Sequence, residues 1–403
     1  MARSLGLAAY RALVRRKDAP DAPLTGTRPP GDVLWMHMGE PANVLAVQDL
    51  AARIIRARPG LQVLLTYPPG TPQVVLTRSD LPVTLLPAPG EHEASIAAFL
   101  DHWRPGAGLW IWGGLRPNLV LAAAKICPLF LIDADSKGFD GRRDRWLPDM
   151  TQTLLNTFTH GCARTAEAHA RLDQLGMARS RMLPATPLLA GGEALPYIDA
   201  DLADLASALG GRPVWYAAQV LGAEVPTILA AHAQARRMSH RLLLILHLAH
   251  SEEVDAAVEQ TAAAFTLARW DDGTYPDEFT DVLISEDSGD RGLFFRTAPV
   301  SFLGSSLVPG GMSCDPLDAA ALGSAVLYGP KVRHFLPSYT RLAAAGAARI
   351  VNDAPGLGTA VARLISPDQA ATMAHAGWDV ISKGAALADT VTDLVQDALD
   401  LVF

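Results

Sequence analysis

The sequence predicts an α/β protein built from two doubly wound, Rossmann-like domains, and three observations support this. Short apolar runs alternate with stretches of helical periodicity along most of the 403 residues. The alternation stops at the proline- and glycine-rich residues 184–195 and then starts again. Alternating strands and helices build parallel sheets covered on both faces, and the chain is long enough for two hydrophobic cores. Each half is therefore expected to form one such domain.

The N-terminal half begins with a βα unit. Residues 33–38 are a short apolar run, and residues 44–58 place apolar side chains on one helical face. The same alternation predicts further strands at 62–66, 109–112 and 129–132, and helices at 94–102 and 119–124. The predicted boundaries are a leader over residues 1–30 and an N-terminal domain over residues 31–185.

The C-terminal half repeats the pattern after a linker predicted at residues 186–211. Apolar runs and helical spacing predict strands at 214–218, 242–248, 281–284, 300–303 and 325–328, and helices at 225–238, 252–265 and 317–322. An apolar stripe near the end of the chain predicts a closing helix over residues 381–403. The C-terminal domain is therefore placed at residues 212–380.

Composition excludes several classes of function. The net charge of −8 argues against nucleic acid as a partner, because binding to a phosphate backbone needs a basic surface. Three cysteines without C-x-x-C spacing support neither a disulfide framework nor a structural zinc site, and they fit a reducing cytoplasm. His247 and His250 form H-x-x-H at the end of a strand rather than on a helix. No metal and no bound cofactor are predicted.

Residues 1–17 form a short basic amphipathic segment. Arginine and lysine side chains flank Leu5, Leu7, Leu13 and Val14, and the longest uncharged run is far shorter than the ~20 residues of a spanning helix. Such a segment suits peripheral binding to an anionic membrane surface. It equally suits a terminal helix packed on its own domain, and the sequence allows both.

The most informative motif lies at residues 302–318, where an apolar run is followed by a Gly/Ser-rich turn and an alanine-rich helix that Asp315 and Pro316 open. A strand, a glycine turn and a helix N-terminus direct free backbone N–H groups at one point, which suits a phosphate. The alternative is a capping box with Asp315 as the N-cap and Asp318 at the third helical position. That arrangement begins a helix without any ligand.

This segment resembles the motif Gly-Gly-Ser-Leu-Val-x(2,3)-Gly-Gly-His-Asn-Pro-Leu-Glu of the 3-deoxy-D-manno-octulosonic acid (Kdo) transferases. Further pieces follow in that family's order: Met38-Gly39-Glu40 for Ser-Val-Gly-Glu, Leu115-Arg116-Pro117-Asn118 for Leu-Trp-Pro-Asn, Arg212-Pro213-Val214-Trp215 at the start of the second half, and residues 242–250 for the strand ending in Pro-Arg-His. The chain thus resembles a divergent Kdo transferase over roughly residues 31–380.

The resemblance implies the GT-B glycosyltransferase architecture, in which two Rossmann-like domains face one another across a cleft. It also implies an activity, the transfer of Kdo from CMP-Kdo to a lipid A precursor in lipopolysaccharide synthesis. The implied location is the cytoplasmic face of a Gram-negative inner membrane. The implied partners are a CMP-sugar donor, a lipid A precursor and the membrane surface.

The resemblance further implies site residues. Glu40 is expected to be the catalytic base, with a glutamate that only stabilises a helix start as the alternative. For His250 the alternative is a packed imidazole, and for Asp287 it is an Asx turn. Serine and glycine backbone N–H groups are expected to bind the donor phosphate, and Asp318 a ribose hydroxyl. The full predicted donor site is Ser305, Ser306, Gly310, Gly311, Asp315, Asp318, His250 and Asp287.

Several family positions differ in this chain. Trp112 and Gly114 stand in place of two glutamates, Ala249 and Asp135 each in place of an arginine, and residues 218–223 in place of Thr/Ser-x-His-x-Gly. These replacements leave two alternative functions open, a non-catalytic paralogue that binds a nucleotide or glycolipid and a transferase that uses another activated sugar. The candidates to substitute for the lost arginine are Arg116, Lys331 and Arg333, and a solvated surface charge is the equal alternative for each.

Overall fold

The computed structural model describes residues 10–12, 14, 28–39, 43–69, 82–139, 148–191 and 194–401. The chain divides into two compact units. Unit 1 takes Met1–Ala190 and Gly384–Phe403, and unit 2 takes Gly191–Lys383. Each unit is built around one parallel sheet covered by helices.

The sheet of unit 1 has six parallel strands in the order β3-β2-β1-β4-β5-β6. This is the strand order of a dinucleotide-binding fold, and the direction of winding reverses between β1 and β4. The carboxyl ends of those two strands therefore flank a crevice. The strands are β1 (Val33–Met38), β2 (Gln62–Tyr67), β3 (Val83–Pro87), β4 (Ala107–Ile111), β5 (Leu129–Ala134) and β6 (His160–Ala163).

Helices cover this sheet in the described part of unit 1, and large aromatic side chains fill the core beneath them. Trp35 of β1 meets Phe99 and Trp110 edge to face, with ring centroids 5.7 and 6.0 Å apart. Edge-to-face contacts of this kind add to the stability gained from burial alone. The helices are α1 (Val44–Ala57), α2 (Glu93–Trp103), α3 (Pro117–Ala123), α4 (Pro148–Leu155) and α5 (Ala166–Gln174).

The sheet of unit 2 has seven parallel strands in the order β13-β12-β11-β7-β8-β10-β9. Here the winding reverses between β7 and β11, so the crevice of this unit lies at the carboxyl ends of these two strands. The strands are β7 (Val214–Val220), β8 (Leu243–Leu248), β9 (Leu267–Arg269), β10 (Val282–Ser285), β11 (Val300–Leu303), β12 (Ala325–Tyr328) and β13 (Ala348–Ile350).

The helices of unit 2 include one that also extends into unit 1. Helix α13 is 34 residues long, and its final turns belong to unit 1, where Asp400 pairs with Arg58 at 2.6 Å. The helices are α6 (Asp199–Leu209), α7 (Val225–Arg236), α8 (Val254–Ala262), α9 (Arg291–Thr297), α10 (Pro316–Ala321), α11 (Leu336–Ala344), α12 (Ala354–Leu364) and α13 (Pro367–Asp400).

The predicted fold class, two doubly wound α/β domains, is confirmed, with two corrections to the elements. The predicted linker contains helix α6, because Asp199 and Asp201 stabilise its first turn while Leu205 and Leu209 are buried one turn apart. The closing helix begins at Pro367 rather than at residue 381. That the two domains face one another across a cleft stays a prediction.

Candidate functional site

Both sequence motifs lie at the crevices that the two sheets create. Gly39 directly follows β1 in unit 1, and the loop of residues 304–315, here called the donor loop, directly follows β11 in unit 2. Ligands of open parallel sheets bind beyond the carboxyl ends of the strands where the winding reverses. The two crevices are therefore the candidate site, and each is described on its own.

Unusual backbone conformations concentrate at these strand ends. Five non-glycine residues in the described part of the chain have a positive φ, and four of them lie at or next to the carboxyl end of a strand. A left-handed conformation costs a non-glycine residue about 1–3 kcal/mol and persists where surrounding contacts enforce it, often at functional sites. These four residues are Trp112 (83°), Asp133 (54°), Gln219 (50°) and Ser305 (53°).

In unit 1 the crevice is lined by an indole. Gly39 donates its backbone N–H to Ile111 O over 2.9 Å, and a Cβ added to Gly39 would stand 2.8 Å from Trp112 Cε3. Glycine at position 39 thus allows the chain to leave β1 close beneath Trp112. Glu40, the predicted catalytic base, lies outside the described residues. Its role as the base stays a prediction.

The turn after β4 shows how the two lost glutamates are replaced. Trp112 and Gly114 both adopt a positive φ, and the Gly114 N–H donates to Gly138 O over 3.1 Å. Trp110 donates its indole N–H to Gly113 O over 2.9 Å and so closes the turn. The crevice therefore presents an apolar indole where the resemblance expects carboxylates.

A buried ion pair stands beside this turn. Asp133 is almost fully buried and accepts hydrogen bonds from Arg164 at 2.6 and 3.1 Å and from the Leu188 N–H at 2.9 Å. Asp135 adds a longer contact of 3.4 Å to Arg164. The hydrogen bond to Asp133 raises the pKa of the Arg164 guanidinium. Asp135 stands where the resemblance expects an arginine, and the guanidinium of Arg164, the residue after β6, lies beside it.

In unit 2 an internal carboxylate occupies the start of the donor loop. Glu224 is fully buried, and both of its carboxylate oxygens accept hydrogen bonds from backbone N–H groups. Oε2 accepts from Ser305 N at 2.7 Å and from Leu221 N at 3.2 Å. Oε1 accepts from Ser306 N at 2.9 Å and from Leu307 N at 2.7 Å. Three successive N–H groups that converge in this way form an anion-binding nest. The prediction that Ser305 and Ser306 donate these N–H groups to a ligand phosphate is therefore corrected.

The hydroxyl groups of the two serines are also used within the fold. Ser305 Oγ donates to Gln219 O over 2.8 Å, and Ser306 Oγ donates to Leu303 O over 2.5 Å. Ser306 Oγ in turn accepts from Gly329 N at 2.8 Å. Both serines are buried and hold β11 against its two neighbouring strands.

The glycines of the donor loop are placed differently. Gly310 has a φ of 112° with open space around it, and a Cβ added to Gly311 would stand 2.6 Å from the Cβ of Ser305. In the described part of the chain, the backbone N–H groups from Gly310 through Ser313 have no hydrogen-bond acceptor. The glycine turn therefore keeps N–H groups that a ligand could accept from, and the donor-binding role of Gly310 and Gly311 stays a prediction.

The start of helix α10 supports the capping interpretation. Asp315 accepts from Leu317 N at 3.0 Å and so caps the helix with its own side chain. Helix α10 has only six residues, and Asp318 in its first turn is buried. The phosphate site predicted at this helix start is corrected accordingly, because an internal carboxylate already occupies that position.

Gln219 connects three elements at the crevice of unit 2. Its backbone N–H donates to His247 Nδ1 over 3.1 Å, and its side-chain Oε1 accepts from the Cys314 thiol at 2.9 Å. Burial raises the pKa of Cys314 to about 12, so the thiol keeps its proton and acts as the donor. The contact orients the half-buried amide of Gln219 and leaves its NH₂ group facing away from Cys314.

Sequence reasoning missed a buried polar cluster next to Gln219. Among the described residues, Tyr216 Oη, His247 Nε2 and Ser285 Oγ are buried and have no hydrogen-bond partner. Burial, with Arg291 as the next cause, lowers the pKa of His247 to about 4, so the ring is neutral near pH 7. The signal in the sequence was three polar residues inside otherwise apolar strands. Polar groups that are buried normally have a hydrogen-bond partner, so such residues need an explanation.

The two remaining predicted donor residues lie at the same sheet edge as the donor loop. His250 is exposed two residues after β8, and Asp287 is exposed two residues after β10. Asp287 accepts from Gly289 N at 2.7 Å, which is the Asx turn given as the alternative. Among the described residues, no hydrogen bond or ion pair joins either side chain to the donor loop, so their donor-binding role stays a prediction.

Comparison with known proteins gives a consistent family. Residues 11–187 match the sequence family described as 3-deoxy-D-manno-octulosonic-acid transferase (kdotransferase). The chain is 28% identical over 381 residues to a 3-deoxy-D-manno-octulosonic acid transferase of Bordetella pertussis, covering 89% of this chain and 87% of the relative. It is 25% identical over 330 residues to a probable mitochondrial 3-deoxy-D-manno-octulosonic acid transferase of Arabidopsis thaliana, covering 77% and 72% of the two chains.

Solved structures with a similar chain trace include two from Acinetobacter baumannii. The C-terminal CMP-Kdo binding domain of WaaA has 21% identity and a TM-score of 0.42, covering 46% of this chain and 99% of that domain. MurG has 15% identity and a TM-score of 0.45, covering 91% of this chain and all of MurG (100%). None of the helices in the described ranges combines the length and apolarity that a membrane crossing requires.

Proposed function

We propose a function from one premise: the chain is a divergent member of the Kdo transferase family. The proposed activity is the transfer of Kdo from CMP-Kdo to a lipid A precursor. The main support for this proposal is the sequence match to relatives named as Kdo transferases. The match extends across both units, over 381 residues in one case. The position of both motifs at the two crevices supports it.

The proposed reaction assigns the base to unit 1. An acceptor hydroxyl attacks the anomeric carbon of Kdo, the bond from that carbon to the CMP phosphate oxygen breaks, and CMP leaves with the bonding electrons. The carboxylate of Glu40 takes the proton of the attacking hydroxyl. Trp112 borders the crevice next to Gly39, and its indole suits the apolar face of a sugar or lipid better than a charged group.

The proposed donor site lies in unit 2, around the glycine turn. The N–H groups from Gly310 through Ser313 are the candidates for the phosphate, since Glu224 already engages those from Ser305 to Leu307. Lys331 and Arg333, exposed on the turn after β12, are the proposed counter-charges in place of the arginine lost at position 249. Arg116 is less suited, because it lies 3.6 Å from Glu91 in unit 1.

The proposed setting is lipopolysaccharide synthesis at the cytoplasmic face of a Gram-negative inner membrane. The acceptor is a lipid, so the enzyme must meet a membrane surface. The basic amphipathic residues 1–17 are the proposed peripheral contact. Residues 1–9, 13 and 15–17 of this segment lie outside the described part of the chain.

The donor nucleotide is tested by thermal denaturation of the purified chain with CMP, UDP or GDP. A ligand that binds only the native state raises the melting temperature by mass action. The proposal expects stabilisation by CMP and release of CMP from CMP-Kdo when a lipid A precursor is present. Stabilisation by CMP without turnover would favour the non-catalytic paralogue, and stabilisation by UDP or GDP alone would favour another activated sugar.

A further inference from the structure

We propose that Glu224 is the positioning residue of the donor loop, an inference that rests on the proposed function for its effect on the donor. The side chain comes from the connection between β7 and α7, and it contacts N–H groups 81 to 83 residues further along the chain. Its carboxylate takes the position that an external anion takes in other nests. The start of the loop is therefore organised by the protein itself.

The environment of Glu224 makes these hydrogen bonds necessary. The residue is fully buried, and no lysine, arginine or histidine pairs with it among the residues that the structure describes. A buried carboxylate without hydrogen bonds is strongly unfavourable. Conversely, without Glu224 the N–H groups of Ser305, Ser306 and Leu307 would be left unsatisfied. Each side of this contact holds the other in place.

The contact also fixes the two walls of the crevice relative to each other. Glu224 accepts from Leu221 N at the end of β7 and from the three N–H groups after β11. Gly304 N donates to Ala218 O over 2.7 Å in the same place. The strand ends on either side of the crevice are thus joined through one carboxylate.

The position of the glycine turn depends on this anchor. Gly311 lies directly against Ser305, where a Cβ on the glycine would be 2.9 Å from Ser305 Oγ. A shift of Ser305 after loss of Glu224 must therefore move Gly311. Since the turn supplies the N–H groups proposed for the donor phosphate, Glu224 acts on the donor without touching it.

The test compares E224Q with E253Q in the full chain. Glu253 offers a matched control, because its carboxylate accepts one N–H group at the same sheet edge, that of Gly222 at 2.8 Å, and does not contact the donor loop. The readouts are donor KM, acceptor KM and kcat, together with hydrogen exchange of the N–H groups of Ser305, Ser306 and Leu307. E224D, which keeps the charge on a shorter side chain, serves as the second variant if E224Q does not fold.

The proposal predicts that E224Q speeds exchange of the three N–H groups by at least about tenfold and raises donor KM by about tenfold, while acceptor KM stays within about twofold. E224D should lie between E224Q and wild type, and E253Q should match wild type. Unchanged exchange in E224Q, or faster exchange with an unchanged donor KM, would overturn the proposal. If wild type itself does not use CMP-Kdo, the proposed function fails, while the exchange comparison still decides whether Glu224 holds the loop.

Discussion

Gly39 and Trp112 lie in direct contact, so closely that a Cβ on the glycine would come within 2.8 Å of the indole. Gly39 has no positive φ, so the constraint is the space beside it rather than its backbone conformation. The contact joins the end of β1 to the turn after β4, and Glu40 is the next residue in the chain. The indole that stands where the resemblance expects a glutamate thus constrains Gly39, the residue before the proposed base in the sequence.

The first prediction concerns this contact. G39A should destabilise the chain by about 1–3 kcal/mol through overpacking. The Trp112 side chain is the nearest obstacle, so the cost of G39A should be smaller in a W112A background than in wild type. Urea denaturation of the two single variants and the double variant measures this coupling. Equal costs in both backgrounds would show that the indole does not constrain position 39.

A second prediction separates the glycine turn from general backbone strain. Gly310 (φ 112°) and Gly323 (φ 84°) both have open space around them. They differ in location, because Gly310 lies beyond the carboxyl end of β11 and Gly323 lies in the turn before the amino end of β12. Alanine at either position should lower the free energy of unfolding by a similar amount, about 1 kcal/mol. Only G310A should raise donor KM, by about tenfold. A similar donor KM in both variants would show that the glycine turn does not bind the donor.

The third prediction concerns the Asp133–Arg164 pair. R164M should destabilise the chain by about 2–3 kcal/mol, because among the described residues it leaves the buried Asp133 carboxylate with the Leu188 N–H as its one donor. R179M is the control, since it removes a pair of similar geometry whose arginine is 83% exposed. Its urea midpoint should stay close to that of wild type. Similar midpoints for the two variants would contradict the structural importance of the buried pair.

The fourth prediction is a loss of stability in acid. Burial lowers the pKa of His37 and His232 to about 3 and that of His247 to about 4, whereas the unfolded chain binds these protons near pH 6.5. The stabilising contribution is therefore complete above about pH 6.5 and declines as the pH falls toward the folded pKa values. Between pH 7.5 and 5 each histidine accounts for up to about 2 kcal/mol.

Urea denaturation at the two pH values, with H232N beside wild type, measures this loss. His232 accepts from Trp215 Nε1 at 3.1 Å, so H232N should be less stable at pH 7.5. It should also lose less stability on acidification, because one buried histidine is gone. An equal loss in the variant and in wild type would show that His232 does not contribute to the acid sensitivity.

The internal strands of both sheets were predictable, and the edge strands were not. All nine strands with a neighbour on each side coincide with apolar runs, because both of their faces are buried. Among the described edge strands, β6, β9 and β13 are short and carry the polar residues His160, Arg269 and Arg349, while β3 is apolar but only partly buried. Helix α6 was missed because its exposed face is polar and because the nearby prolines and glycines indicated a linker.

The candidate site was predictable only in part. The cap formed by Asp315 was available from the sequence as the alternative to a donor contact, because it depends on neighbours in sequence. That the donor loop binds the donor stays a prediction. Glu224 was missed because its partners are more than 80 residues away, and the anion of the nest was expected to be a ligand. Tyr216 and His247 were missed for the same reason, because only the sheet brings them together.

The central claim is that this chain transfers Kdo, and mass spectrometry of the acceptor tests it most directly. A lipid A precursor incubated with CMP-Kdo and the wild-type chain should gain the mass of one or more Kdo residues. With E40Q it should gain none, although CMP should still stabilise that variant against heat. An unmodified acceptor with the wild-type chain, or equal product from E40Q, would contradict the account.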